Sequence, residues 1–296
     1  MAELFHKEDA DTGVDRLDSI KIADFLEKSV RHPDGSPTFD LRSITWITPA
    51  ALVQITAILH TLCRVEKRAT VLLQGSPIRS YLDRVGFMSI AEPVATLIPD
   101  RASLIPLPYS SRHGSNPLLI ELTKIDSGAA LPELLDRIVM ALRRRLKYKK
   151  HDAFDIAMVI SEVSQNAFDH NVSTCGFLAM QVYGKGTKRR LEIGISDHGV
   201  GLRETLRRNP INACISSDFD AIQAATTLGT SEHDDPTRGT GLYHLLEITY
   251  KHGGTVQIWS GDTKIRYRMD KRQGWNFQVP VVSGVHVALT LPTKAA

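Results

Sequence analysis

The stretch that most constrains this chain is Asp155 to Asn171, DIAMVISEVSQNAFDHN. Ile156, Val159, Ile160, Val163 and Ala167 recur at helical spacing, which predicts an amphipathic helix with one buried face. Along the edge of that face Glu162, Asn166 and His170 follow one another at intervals of four residues. Side chains four apart stack on one side of a helix, so a carboxylate, an amide and an imidazole share a strip. Asn is a mediocre helix former, and a merely solvated helix has little use for one at its middle. Alone, the strip also fits an ordinary polar rim, because Glu-x-x-x-Asn arises readily by chance. The residues downstream narrow the choice.

An apolar run, Leu191 to Ile195, leads into Asp197-His198-Gly199-Val200-Gly201. Arg238-Gly239-Thr240-Gly241-Leu242 then opens a second helical pattern, carried by Leu245, Leu246 and Ile248 and closed by Gly253-Gly254 ahead of Thr255. An Asn-bearing helix, a strand ending in Asp-x-Gly-x-Gly, a polar stretch and Gly-x-Gly-Leu at a helix start form an order that resembles the GHKL-type ATP-binding domain. DNA gyrase, Hsp-type chaperones, MutL and histidine kinases share that domain. Within it, Asn166-Ala167-x-x-His170 is most similar to the anti-sigma-factor serine kinases. The resemblance implies a Bergerat-type α/β sandwich, a mixed sheet covered on one face by helices, in an α+β chain. It implies ATP and Mg2+ as cofactors, with Asn166, His170, Asp197, Gly199, Gly201, Arg238, Gly239, Thr240, Gly241, Leu242 and Thr255 at the nucleotide.

The residue chemistry suits those roles. An Asp at a strand end accepts from the adenine amino group, where guanine presents an acceptor instead, and glycines at 199 and 201 let the backbone turn close to the base. Gly239-Thr240-Gly241 at a helix start offers N–H groups and a positive helix end to phosphates, with Arg238 adding charge. The Asn166 amide oxygen suits Mg2+, a hard cation that takes oxygen ligands. Glu162, one turn earlier, is the expected general base for the hydroxyl attacking the γ-phosphate. That hydroxyl belongs to water in a hydrolase and to a Ser or Thr in a protein kinase, and the residues do not separate the two. Residues 202–237 correspond to the family's lid. Gly284-Val285 stands where several members carry Gly-Thr, so one adenine contact is missing unless Thr255 replaces it. With a missing contact, the alternative is a nucleotide-gated binding module or scaffold without catalysis. No phosphoacceptor His in a dimerisation helix precedes the domain.

Upstream, Ile20 to Val30 predicts a helix broken at His32-Pro33-Asp34-Gly35, Phe39 to Ile47 a buried strand, and Ala50 to Arg64 a helix. Ala69 to Leu73 reads as a strand and Pro77 to Val85 as a short helix, so β-α-β units build a small mixed sheet. This pattern is similar to the STAS domain of anti-sigma-factor antagonists. That family places Asp-Ser, the phosphorylated serine, in the turn after its Asp-Leu strand. Here Thr48-Pro49 occupies the turn, so the domain is expected to dock rather than switch, with Thr48 the one remaining hydroxyl. The expected organisation is a mobile N-terminus (1–16), a STAS-like domain (17–90), a Pro- and Ser-rich linker (91–115) and a GHKL-type domain (116–296).

Net charge is only +3 over 296 residues, so nucleic acid and anionic membranes are disfavoured as partners. The basic run Arg143 to Lys150 also suits a helix C-terminus. Cys63, Cys175 and Cys214 lie far apart without a Cys-x-x-Cys pair, which argues against a disulfide framework or a structural zinc site and fits a reducing cytoplasm. No stretch is long and apolar enough to span a bilayer. The expected partners are a regulatory protein, an antagonist or a sigma-factor-like chain, together with docking between the two halves; a homodimer stays open.

Overall fold

Short apolar runs separated by turn residues give the first half of the chain brief strands around one long helix. The computed structural model describes residues 16–31, 36–100, 118–144, 146–169, 175–184, 189–227, 240–268 and 273–292. The expected mobile N-terminus apart from Arg16, most of the linker, His170, Arg238, Gly239 and residues 228–237 of the lid lie outside them. In chain order come β1 (Arg16–Leu17), α1 (Ile22–Glu27), β2 (Val30–Arg31), β3 (Pro37–Asp40), β4 (Trp46–Ile47) and α2 (Pro49–Arg64). Then follow β5 (Ala69–Leu72), α3 (Arg79–Arg84), α4 (Phe87–Ala91) and β6 (Ala95–Ile98). A four-stranded mixed sheet has the order β2-β3-β5-β6, and β1 pairs with β4.

Two expectations are corrected here. The strand expected over Phe39 to Ile47 is broken, because the Asp40 carboxylate accepts from the Arg42 N–H at 3.0 Å and its guanidinium at 2.6 Å, fixing a turn. β6 lies inside the expected linker and is hydrogen-bonded to β5.

The second half contributes β7 (Leu118–Ile125), α5 (Leu131–Arg144), α6 (Lys150–Asp169), β8 (Gly176–Tyr183) and β9 (Arg190–Asp197). It continues with α7 (Leu202–Leu206), α8 (Asp218–Ala225), α9 (Gly241–Lys251), β10 (Thr255–Arg268) and β11 (Gln273–Pro292). These strands form one sheet in the order β10-β11-β9-β8-β7, antiparallel at every described pairing. Asp152 lies within the first turn of α6. It pairs with Lys251 of α9 at 2.8 Å, which holds its carboxyl below the usual range.

The sheet is covered on both faces. Strand side chains alternate, so Leu191, Ile193 and Ile195 face α5, α6 and α9 with Leu178 and Met180, while Glu192, Gly194 and Ser196 point the other way. On that second face lies α2, buried nearly all round from Ala50 to Ala57 and again at Leu59. Its contact with β9 is backbone to backbone: a Cβ on Gly194 would sit 2.5 Å from Ala50 Cα and 2.8 Å from Pro49 O. The mixed sheet covered on one face is therefore corrected to an antiparallel sheet between two helical layers. One buried cluster runs from Phe39, Val71 and Leu73 through Leu52, Ile55 and Leu59 to Phe177, Ala179 and Trp259. At about 1.5–3 kcal/mol for each fully buried large apolar side chain, this shared layer is a main source of stability. A polar cavity of about 10 Å³, room for one water, interrupts it beside Gln54, Ser196 and His286.

The N-terminus of α2 is held from the sheet. Thr48 caps it, with Oγ 3.5 Å from the Ala51 N–H, and the buried Glu192 carboxyl accepts from the Thr48 hydroxyl and the Ala50 N–H. Thr48, the one hydroxyl left in the expected phosphoacceptor turn, is 4% exposed. No described helix is long and apolar enough to cross a membrane.

Candidate functional site

α6 forms because its apolar positions recur on one face, and that face packs Ile156, Val159, Ile160 and Val163 against the sheet. Glu162 and Asn166 are left at its border, Glu162 about one-third exposed and Asn166 exposed. The first turn of α9 lies directly against this strip. A Cβ on Gly241 would stand 3.2 Å from Glu162 Cβ and 3.6 Å from Asn166 Nδ2, so glycine permits the closest approach there. Thr240 precedes α9 without a side-chain cap bond, and Leu242 anchors the helix in the core. Glu162 Oε2 lies 3.3 Å from His244 Nδ1, one turn into α9.

Asp197 ends β9 and, by strand alternation, shares the face of the sheet that carries α6 and α9. It is 8% exposed. Its Oδ1 accepts from the Gly199 N–H at 2.7 Å and its Oδ2 from the Val285 N–H at 3.1 Å. Burial pushes its carboxyl up to about 7 against the pull of those two donors. Each oxygen keeps a second lone pair, so the carboxylate can accept one more hydrogen bond. Gly201, at φ +88°, turns the chain into α7, and a Cβ there would meet Ser260 Oγ at 2.9 Å. Ser260 Oγ in turn accepts from the Leu202 N–H at 2.9 Å.

The structure thus brings Glu162, Asn166, Thr240, Gly241 and Leu242 together, and sets Asp197, Gly199 and Gly201 on the same side of the sheet. Thr255 does not join them. It starts β10 opposite Thr290, five residues from the Ser260–Val285 pair that adjoins Asp197, about 17 Å along the strands. It cannot replace the hydroxyl absent at Val285. The oxygen donors at hand fit a hard cation and a nucleotide: an exposed amide at Asn166, a carboxylate at Glu162 and a buried carboxylate at Asp197.

Sequence reading missed His244 and Ser260, and it named Gly284 only as the neighbour of Val285, without its close approach to Asp197. Gly284 had a legible signal: a glycine inside a strand marks close backbone approach. Its φ is +88°, and a Cβ there would lie 2.1 Å from the Asp197 carbonyl oxygen. The basic run ends α5 in solvent, with Arg143, Arg144, Lys149 and Lys150 exposed, while Arg145 lies outside the described residues.

No protein-family model matches the chain, and no curated protein matches it either.

Proposed function

We propose that the chain is an ATP-binding regulatory protein of the GHKL type, akin to anti-sigma-factor serine/threonine kinases, with a degenerate STAS-like half built against it. The observation that carries this reading is convergence. Glu162 and Asn166 on α6 abut the glycine that opens α9, and the buried Asp197 faces the same side of the sheet. In this reading the adenine amino group donates to Asp197, and the first turn of α9 offers its N–H groups to phosphate. Asn166 would hold Mg2+, which would supply charge neutralisation at the phosphate oxygens. Glu162 takes the proton of the attacking hydroxyl once His244 releases it.

A second reading, a nucleotide-gated binding module without turnover, is favoured by two observations. His244 already engages Glu162, and Thr48 is buried as a helix cap. In both readings nucleotide binding acts on a regulatory protein partner. Calorimetry with Mg-ATP on the wild type and on Asp197→Asn tests the pocket: binding in the first and a loss of at least about tenfold in the second is expected. No heat at millimolar ATP sinks the proposal. Glu162→Ala then separates the readings, because it abolishes phosphate release only if there is turnover.

A further inference from the structure

Asp197 and its neighbour point to opposite faces of the sheet. Asp197 serves the face with α6, whereas His198 turns toward α2 and meets His60 and Cys175. One ligand atom from each of His60, Cys175 and His198 lies within 4.8 Å of the other two. They come from three separate places: the last turns of α2, the start of β8 and the end of β9. His198 is 5% exposed and Cys175 also 5%, so this is an interior cluster.

Its hydrogen bonding is incomplete. His60 Nε2 is buried and has no hydrogen-bond partner. Both ring nitrogens of His198 face donors, the Arg64 guanidinium 3.4 Å from Nδ1 and the Cys175 N–H 3.2 Å from Nε2. A neutral imidazole accepts at one nitrogen only, so one of those contacts goes unmade. Cys175 Sγ lies 3.2 Å from His198 Nε2. Burial keeps both rings neutral, pushing His60 and His198 down to about 4, so each ring keeps one unprotonated nitrogen, unpartnered at His60 and facing a donor at His198. Burial pushes the Cys175 thiol up to about 11, with Lys124 and Arg64 pulling it down and Asp126 and Asp197 pushing it up, so a bound metal ion has to displace the thiol proton.

We propose that His60, Cys175 and His198 bind one borderline divalent transition-metal ion, of the Zn2+ class, which clasps α2 to the strand ends of the sheet. Two imidazole nitrogens and a thiolate are the donors such ions prefer. Bonds of about 2.0–2.3 Å put tetrahedral ligand atoms about 3.3–3.6 Å apart, so the cluster closes by about 1 Å, which rotation of the half-buried His60 ring supplies. On binding, the metal replaces the thiol proton, which passes to water, and the Cys175 sulfur coordinates as thiolate. The Arg64 guanidinium keeps the His198 carbonyl, 3.5 Å away, as its acceptor. The absence of Cys-x-x-Cys argues against zinc by spacing along the chain, but the fold assembles the ligands from positions far apart.

The test uses full-length protein carrying Cys63→Ser and Cys214→Ser, which leaves Cys175 the only thiol, stripped of metal and titrated with Co2+. One equivalent with a thiolate-to-cobalt charge-transfer band is expected. Cys175→Ser should abolish the band, and His60→Gln should weaken binding about tenfold or more. Far-UV circular dichroism identifies a variant that has failed to fold, and His60→Gln, at a half-buried site, keeps the test decisive if Cys175→Ser does. The exposed group His151, Asp152 and Asp155, already tied to Lys251, is the competing site. No charge-transfer band, a band unchanged in His60→Gln, or binding lost in His151→Ala instead, overturns the proposal.

Discussion

Replacing Gly194 by alanine tests the layer between the two halves of the chain. In an open strand the change is favourable by about 0.5–1 kcal/mol, since alanine loses less backbone freedom on folding. Here the added Cβ would stand 2.5 Å from Ala50 Cα and 2.8 Å from both Ala50 N and Pro49 O. Ordinary contact begins near 3.4 Å, so α2 must retreat by roughly 1 Å or β9 must bulge. A gap of about 0.5–1 Å forfeits a quarter to a half of each dispersion contact it opens. Leu52, Ile55 and Leu59 all belong to the packed layer, so a net loss of about 3 kcal/mol, at the top of the usual range for overpacking, is expected. Urea unfolding should show a lower midpoint with an unchanged slope. Ala50→Gly should not rescue it, because the obstructing atoms are backbone, and a double-mutant cycle should give a coupling near zero. If Gly194→Ala is as stable as the wild type or more so, α2 does not rest on β9 as described.

Gly284→Ala combines a left-handed φ with a Cβ 2.1 Å from the Asp197 carbonyl oxygen, and a thermal melt should show a loss of about 2–4 kcal/mol. Thr48→Ala removes the α2 cap and a donor to Glu192, for a loss of about 1–2 kcal/mol by denaturant titration; Thr48→Ser should recover most of it. Burial raises the Glu192 carboxyl to about 7 from 4.5, and its Oε1 has no partner. A raised folded-state value means its stability is fully present below about pH 4.5 and is lost as pH rises through 7, up to about 3 kcal/mol. Asp197 acts in the same sense. Glu192→Gln should flatten the fall in stability between pH 5 and 8, and an unchanged pH profile would count against a buried, strained carboxyl.

Much of this arrangement could be read in advance where periodicity was strong. α6 and α9 announce themselves by apolar spacing, and β8 and β9 by runs such as Phe177-Leu178-Ala179-Met180. β6 was hidden because Pro93 and Pro99 flank five ordinary residues and draw attention to the prolines. The first part of β11 was overlooked although Trp275, Phe277, Val279 and Val281 alternate, because that stretch is only half buried and carries no turn signal. Small residues at Pro49-Ala50-Ala51 and a glycine in the middle of β9 were the clue to close packing, but neither names its partner. Glu162 and Asn166 were legible because one helix spaces them. The His60, Cys175 and His198 cluster was not, since only the tertiary fold brings a helix end and two strand ends together.

The burial of α2 on every side also bears on synthesis. α2 is complete at Arg64, yet the strands that cover its second side end only at Pro292, roughly 230 residues later. At about 5–20 residues per second, that interval is about 10–45 s. Until it ends, the five-stranded sheet that closes over the second side of this helix is incomplete. A chaperone that shields apolar helices, or slow initiation that keeps neighbouring nascent chains apart, would matter more here than for a protein whose first hundred residues close on themselves.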